Sequence, residues 1–363
     1  MSFLNCFRIC IHMEEMECGS LLRGTLPHGC QHCREGGKLV LFISGRCQGG
    51  CYYCPLSEVK KGNDLIFANE ARVESKEDII REARQIGATG TGITGGDPLL
   101  CAERTEKAIA TLKKEFGVAH HIHLYTCSVN IDKLRRLEDA GLDEIRFHPP
   151  LEMWTRMDEL PFRRLISRTG MSVGLELPAL PDRERELRKA LAFAAEAGMD
   201  FVNLNELEFS EGNYSMMKRF GYQIKDDLSS AVEGSEELAR RLLMESRGIN
   251  VHYCSSAFKD SVQLRRRLLR RAERVAKGCD EITEDGTLLK GVIECDEPQK
   301  VMQWLCEEFE IPLEFMNLDS EKERLEIAPW ILEEIYDEVP FRSYIVEEYP
   351  TADRLEVERT PLR

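Results

Sequence analysis

The sequence lacks the long apolar runs of a membrane protein. No stretch approaches the roughly 18 consecutive apolar residues that a transmembrane helix needs, and the N-terminus shows neither a clear basic region nor a small-residue cleavage site. An excess of positive charge is also lacking: the formal net charge is −15, which argues against broad, nonspecific affinity for nucleic acid. Convincing internal repeats are missing as well. We therefore expect neither a membrane protein, an exported protein nor a repeat protein.

Cysteine, by contrast, is abundant. The chain has 14 cysteines in 363 residues, and without an export signal this number favours reduced thiols and metal ligation over a disulfide scaffold. We expect a cytoplasmic location. Two groups of cysteines have the spacing of metal ligands: Cys47, Cys51 and Cys54, spaced C-x3-C-x2-C, and the C-x2-C pair Cys30 and Cys33.

From residue 38 onward, short β-branched runs alternate with amphipathic helical segments. Such units imply parallel strands joined by right-handed crossovers. Because polar residues recur at the carboxyl ends of these strands, which meet at one mouth in a barrel, the pattern favours a partial (β/α)6-type barrel over an open doubly wound sheet. The predicted strands are 38–44, 91–94, 121–126, 143–148, 172–177, 200–205 and 249–254, and the predicted helices are 75–88, 104–116, 130–140, 184–197 and 235–247.

The pattern changes after about residue 278. A hairpin around Asp285 and Gly286 is followed by an acidic helix at 298–309, a helix near 328–337 and a possible edge strand in the tail. We predict an N-terminal segment at 1–37, the barrel at 38–278, and a small α+β domain at 279–363.

Three cysteines in one loop leave the nature of a metal site open. A structural zinc site closes its tetrahedron with four protein ligands, so a distant fourth ligand would be required. A 4Fe-4S cluster held through three of its irons would instead leave the fourth iron open to a substrate or cofactor. Spacing alone does not choose between them.

The neighbouring residues resemble the radical S-adenosylmethionine (SAM) superfamily. Its motif, C-x3-C-x-Φ-C, is matched by 47–54 with Tyr53 as the aromatic residue. The segment "TGGDPL" at 94–99 is similar to the family's GGEP motif, with Asp97 in place of the usual glutamate. The resemblance covers roughly 38–205, and within the superfamily the chain is similar to an archaeal group related to pyruvate formate-lyase activating enzymes.

This resemblance implies a 4Fe-4S cluster and SAM as cofactors. In the family the reduced cluster cleaves SAM to a 5′-deoxyadenosyl radical that abstracts hydrogen from the substrate. The cluster ligands would be Cys47, Cys51 and Cys54. The residues assigned to cofactor binding are Tyr53, Gly95, Gly96, Asp97, Pro98, Thr126, Ser128, Arg146, His148 and Glu176.

Two further groups of residues are candidates for function. Cys254, Glu206 and Glu208 follow or end predicted strands, and we predict that they face the substrate. Cys30 and Cys33 form half of a possible second metal site, an auxiliary iron–sulfur cluster or a metal ion, with Cys18 or Cys254 among the candidates for the missing ligands. Partly buried free thiols are the alternative.

The substrate class stays open. Kinship to activating enzymes favours a protein substrate, through glycyl radical activation or peptide modification, with an electron donor such as ferredoxin or flavodoxin. The arginine-rich stretch 265–277 keeps an RNA-modifying enzyme as an alternative, although an amphipathic helix with solvated or ion-paired arginines would give the same pattern. A non-catalytic zinc or iron–sulfur binding protein is the alternative from a different class.

Overall fold

The computed structural model describes residues 13–226 and 229–362, so the first twelve residues of the predicted N-terminal segment lie outside the described residues. The chain divides into two compact units. The first comprises the described part of residues 1–34 together with 38–80 and 89–263; the second comprises 35–37, 81–88 and 264–363. None of the helices in the described residues combines the length and hydropathy needed to cross a bilayer.

The first unit contains a sheet of eleven strands. In chain order the strands are β1 Met13–Glu15, β2 Leu21–Arg23, β3 Lys38–Phe42, β4 Phe67–Ala68, β5 Ala71–Arg72, β6 Gly90–Thr94, β7 His121–Thr126, β8 Glu144–Phe147, β9 Ser172–Pro178, β10 Phe201–Asn205 and β11 Asn250–Cys254. Seven of them, β3 and β6 to β11, are parallel and lie side by side in sequence order.

The sequential strand order confirms the α/β class with a parallel sheet. The two outermost parallel strands pair with antiparallel neighbours, β3 with β4 and β11 with β2. Among the described residues the parallel strands therefore do not close on one another. Leu39, Leu41, Ile93, Ile122 and Leu124 share one face of the central strands and are fully buried, as expected of a sheet face that is covered by helices.

Helices connect the strands largely where the sequence predicts them. The Asp78 carboxylate accepts the Ser75 backbone N–H at 2.8 Å, which satisfies a donor at the start of α2. Gly198 ends α6 in the left-handed conformation at φ 77°, as expected of a C-terminal glycine. The helices are α1 His28–Arg34, α2 Lys76–Gln85, α3 Ala102–Phe116, α4 Ile131–Asp139, α5 Phe162–Ile166, α6 Glu184–Ala197, α7 Tyr214–Arg219, α8 Ser235–Glu245 and α9 Ser256–Phe258, which continues into a π-helical turn at Lys259–Leu264.

The second unit has the α+β composition expected of the C-terminal region. All its strand pairs are antiparallel, and β17 forms one edge of the sheet. Its elements are α10 Arg265–Val275, β12 Glu281–Ile282, β13 Leu288–Glu294, α11 Pro298–Phe309, β14 Met316–Asp319, β15 Arg324–Ile327, α12 Pro329–Ile335, β16 Arg342–Glu348 and β17 Glu356–Pro361. The domain limits at 37 and 278 stay predictions.

The arginine-rich stretch forms α10, and several of its arginines bond to protein groups. Arg271 is buried and donates to the Glu82 carboxylate at 2.5 Å. Arg270 donates to the backbone carbonyls of Ile86 and Gly87. Arginine side chains held in this way stabilise the second unit and have fewer donors left for a phosphate.

Candidate active site

The loop that carries the three cysteines, residues 43–64, begins at the carboxyl end of β3. We call it the cysteine loop. Gly45 closes it: its N–H donates to Asn63 O at 2.8 Å, and its carbonyl accepts the Gly62 N–H at 2.9 Å. A Cβ atom at Gly45 would lie 1.6 Å from Lys60 O, so this position requires glycine.

Gly49 lies beside two of the three thiols of the cysteine loop. Cys47 is exposed, and Cys51 and Cys54 are half-buried. A Cβ atom on Gly49 would lie 3.4 Å from the Cys47 Sγ and 3.9 Å from the Cys51 Sγ. A larger side chain at Gly49 would therefore enter the space between these sulfurs. Three thiols on one loop, two of them beside a position kept small by glycine, fit a cluster held through three irons.

The thiols differ in acidity. The neighbouring Cys127 thiol and the Gly49 N–H, which donates to the Cys47 Sγ at 3.2 Å, lower the pKa of the Cys47 thiol to about 6 despite partial burial. Burial raises the pKa of the Cys51 thiol. Cys47 is thus the more readily ionised of these two, and the thiolate is the form that binds metal.

Tyr53, the aromatic residue of the motif, links the cysteine loop to β8 and β9 through hydrogen bonds. Its hydroxyl donates to the His148 Nε2 at 3.0 Å, and the His148 Nδ1–H donates to the Glu176 carbonyl at 2.8 Å. Burial lowers the pKa of His148, which favours the neutral ring required by this pattern. The structure thus brings three predicted cofactor residues together at the carboxyl ends of β8 and β9.

The glycine pair of the "GGDP" segment packs tightly against the start of the cysteine loop. The Gly96 N–H donates to Ser44 O and the Asp97 N–H donates to Arg46 O, both at 2.8 Å. A Cβ atom would lie 2.4 Å from Ser44 O at Gly95 and 2.3 Å from Arg46 O at Gly96. Close backbone packing therefore requires both glycines, whatever ligand they also contact.

The Asp97 side chain, which stands in place of the family's usual glutamate, is the centre of a hydrogen-bond network. The carboxylate is buried and accepts hydrogen bonds from Thr126 Oγ1 and Ser128 Oγ, both at 2.7 Å. It also accepts the Leu99 N–H at 3.1 Å and the Cys127 thiol at 3.2 Å. Asp97 thus gathers two predicted SAM contacts and, through Cys127, is linked to Cys47.

Arg146 and the Glu176 side chain take part in a different network. Arg146 is buried; its Nε donates to Glu144 Oε1 at 2.6 Å, and one terminal nitrogen lies 3.2 Å from Glu176 Oε2. The Asn203 and Asn205 amides also donate to the Glu176 carboxylate, at 2.7 and 2.8 Å. The predicted SAM contacts of these two side chains remain predictions.

The residues predicted to face the substrate are engaged with protein groups. Glu206 is buried and accepts the Ser256 N–H at 2.7 Å, and the Glu208 carboxylate pairs with the Lys259 ammonium. Cys254 lines a cavity of about 170 Å³ that Cys30 and Cys33 also line. The structure therefore brings the predicted half-site together with Cys254.

Sequence reasoning missed the residues that support the cysteine loop. The Asn213 amide donates to Tyr53 O at 3.1 Å, and a Cβ atom at Gly212 would lie 1.9 Å from Leu56 O. Arg104 forms an ion pair with Asp64 at 2.6 Å at the other end of the loop. The glycine in "SEGN" was the one visible signal, since glycine marks a close backbone approach.

A second compact group of donors lies in the second unit. Cys279, Asp280 and Glu326 have ligand atoms within 4.8 Å of one another. The Lys290 ammonium lies 3.1 Å from the Asp280 carboxylate and 3.3 Å from the Glu326 carboxylate. Arg324 and Arg354 also pair with the Glu326 carboxylate. Because protein cations already pair with both carboxylates, we do not treat the group as a metal site.

A parallel α/β sheet with a three-thiol loop at its carboxyl edge, followed on the next strand by a glycine-rich turn, is the architecture of radical SAM enzymes. Residues 41–205 match the family model of the radical SAM superfamily. Residues 286–362 match a domain of unknown function, DUF8061.

The chain is 44% identical, over 93% of both chains, to a Methanocaldococcus jannaschii protein provisionally named a glycyl-radical enzyme activating enzyme. It belongs to the radical SAM superfamily and is a radical SAM enzyme.

Distant similarity extends to solved structures of SuiB from Streptococcus suis. The structure with bound S-adenosylmethionine has a TM-score of 0.37 at 11% identity and matches 60% of this chain. The structure with the precursor peptide SuiA has a TM-score of 0.39 at 13% identity and also matches 60%. The match spans about half the length of these SuiB chains, 50% and 48%.

Proposed function

We propose that this radical SAM enzyme activates or modifies a protein, and that Cys47, Cys51 and Cys54 hold its 4Fe-4S cluster. The observation that carries the proposal is the space between the Cys47 and Cys51 sulfurs that Gly49 leaves free. A loop with three thiols leaves one iron for SAM. The relative's name supports a protein substrate, with formation of a glycyl radical as the first reaction to test.

In this proposal, the chain's own residues bind SAM and orient it. Gly95, Gly96, Asp97 and Pro98 border the SAM position, and Asp97 fixes the hydroxyls of Thr126 and Ser128 beside it. When bound, a cluster on the three loop cysteines would supply one-electron reduction to SAM; this chemistry belongs to the cofactors.

Tyr53 and His148 tie the cysteine loop to the sheet. This limits movement of the thiols, and precise positioning of a reactive centre is the main contribution of the protein in such reactions.

The RNA-modifying alternative gains no support from α10, because Arg270 and Arg271 bond to protein groups. The cytoplasmic location and a ferredoxin or flavodoxin as electron donor remain predictions from cysteine usage and from the family. Glu206 and Glu208 remain predicted substrate contacts.

The test is SAM cleavage after anaerobic reconstitution with iron and sulfide. With dithionite and SAM, the wild-type protein should release 5′-deoxyadenosine, and Cys51→Ala should not. Cys306→Ala, a cysteine of the second unit without ligand spacing, is the matched control and should behave as wild type. Failure of a fully loaded wild-type protein to release 5′-deoxyadenosine would overturn the proposal.

The protein substrate is tested separately, by electron paramagnetic resonance. A glycyl-radical enzyme encoded beside this chain should acquire a radical signal only when active enzyme and SAM are both present. If this candidate acquires no signal although SAM is cleaved, the assignment to that candidate is wrong.

A further inference from the structure

The cavity of about 170 Å³ inside the first unit is lined by three cysteines from two distant parts of the sequence. Cys30 and Cys33 lie one turn apart on α1, so their side chains share a face of the helix. Cys254 is the last residue of β11. Three thiols, two from α1 and one from the end of β11, thus line a single cavity.

Side-chain amides connect the three sulfurs. Gln263 bridges two of them: the Cys33 thiol donates to its Oε1 at 2.8 Å, and its Nε2 donates to the Cys254 Sγ at 3.4 Å. The Asn203 Nδ2 donates to the Cys30 Sγ at 3.3 Å. N–H donors aimed at sulfur stabilise a thiolate, and hydrogen bonds to the sulfurs tune the potential of iron–sulfur sites.

The cavity also contains polar atoms that lack a partner. His252 is 2% exposed, and neither ring nitrogen has a hydrogen-bond partner among the described residues. Asn203 Oδ1 also lacks a hydrogen-bond partner among the described residues. A buried polar group without a partner is costly. His252 lies two residues before Cys254, so both side chains point to the same face of β11.

Charge favours an anionic ligand sphere. The cations Lys38 and Lys259 line the cavity. Thiolates bound to a metal carry negative charge, which these cations would balance.

The separation of the donors selects the kind of centre. Among the described residues, no three ligand atoms from Cys30, Cys33, Cys254 and His252 lie within 4.8 Å of one another. A single tetrahedral ion, about 2.0 to 2.3 Å from each ligand, would need them closer. A cluster of several irons holds its ligands farther apart. We propose that Cys30, Cys33 and Cys254, with His252 as the fourth ligand, bind a second iron–sulfur cluster.

Four protein ligands would close this cluster, so it would not bind SAM. Cys254 then acts as a ligand, and this replaces its predicted role facing the substrate. The proposal does not depend on the proposed function, because the cavity thiols are separate from the cysteine loop.

The test uses a chain without the thiols of the cysteine loop, C47A/C51A/C54A, reconstituted anaerobically. Iron and acid-labile sulfide should remain at roughly half the wild-type amount. Adding C30S/C33S should remove them, whereas adding C101A should not. A folded C47A/C51A/C54A chain without iron and sulfide would overturn the proposal, and so would zinc without sulfide.

A second measurement covers the case in which the triple variant fails to fold. In the otherwise native chain, C30S/C33S should lose roughly half of the iron and sulfide yet still cleave SAM. Unchanged iron and sulfide would overturn the proposal. His252→Ala should keep the iron but change the spectrum of the reduced cavity cluster, and an unchanged spectrum would exclude His252 as the fourth ligand.

Discussion

The cysteine loop and the cavity of the first unit each present three thiols, but in opposite environments. On the loop, Cys47 is exposed and hydrogen bonds lower its pKa to about 6. In the cavity, Cys30 and Cys254 are buried, and burial raises their pKa values to about 11 and 12. The cysteines of the loop are therefore suited to a centre that other molecules can reach, and the cysteines of the cavity are suited to a centre inside the protein.

The residues around the two groups of thiols also differ. Beside the cysteine loop, Gly49 leaves room next to two sulfurs and the Asp97 carboxylate accepts hydrogen bonds from small hydroxyl groups. Around the cavity, long side chains such as Lys38 and Gln263 line the space beside the thiols. An open coordination position requires room for a ligand, whereas a closed centre requires that protein atoms supply every bond.

The largest expected effect is a difference in thiol reactivity in the metal-free protein. At pH 7, a thiol with a pKa near 6 is about 90% thiolate, and one with a pKa near 12 is about 0.001% thiolate. The higher intrinsic nucleophilicity of the more basic thiolate recovers part of this difference. Iodoacetamide should therefore label Cys47 at least about a hundredfold faster than Cys254, as followed by mass spectrometry.

The control for this experiment is the urea-unfolded protein, in which all cysteines should react at similar rates. The sign follows from the direction of the shifts: raising the pH from 7 to 9 should accelerate labelling of Cys254 but hardly change that of Cys47, which is already ionised. Equal rates at the two cysteines in the folded protein would show that the contrast between the regions is wrong.

The next effect concerns the free space of the cysteine loop. Gly49→Leu would place a side chain between the Cys47 and Cys51 sulfurs, and we expect release of 5′-deoxyadenosine to fall by at least about a hundredfold, a cost of roughly 2.7 kcal/mol. Gly50→Leu is the matched control, because a Cβ atom there meets no atom within 4 Å. Cavity iron should persist in both variants. Equal activity of the two would refute the role of Gly49.

The parallel strands and the cysteine motif could be predicted from the sequence because their signals are local. Periodicity over a few residues identified β7 and α6 at their observed limits, 121–126 and 184–197. The C-x3-C-x2-C spacing lies within eight residues, so no tertiary information was needed to recognise it.

The remaining features depend on contacts between distant segments. The Gly29 N–H on α1 donates to the Glu144 carboxylate at 3.2 Å, which places Cys30 in the interior, and no pattern near residue 30 encodes this. Arg146 pairs with Glu144 on its own strand and with Glu176 on the neighbouring strand. The second pair is invisible in a single sequence because its partners lie on different strands.

A smaller effect is expected at Asp97. Asp97→Asn removes the charge and turns an acceptor into a donor facing Thr126 or Ser128, and charged hydrogen bonds contribute about 1.5 to 3 kcal/mol each. We expect SAM to bind about tenfold more weakly to the reconstituted protein, measured by calorimetry, with the iron content kept. Asp139→Asn, at an exposed position in α4, is the control. Unchanged affinity would separate Asp97 from SAM binding.

The smallest effect distinguishes a direct contact from an indirect one. Ser128→Ala removes one of the hydrogen bonds to Asp97, and SAM affinity should fall about threefold, or ~0.6 kcal/mol. If Ser128 acts only through Asp97, the same change in an Asp97→Asn background should have almost no effect, since residues in one network are not additive. A full threefold loss in that background would instead mean that Ser128 contacts SAM directly. The Ser128 hydroxyl would then contact its ligand directly, as the cavity thiols are proposed to do. The two regions would differ in how accessible they are, but in both of them protein side chains would contact the ligand directly.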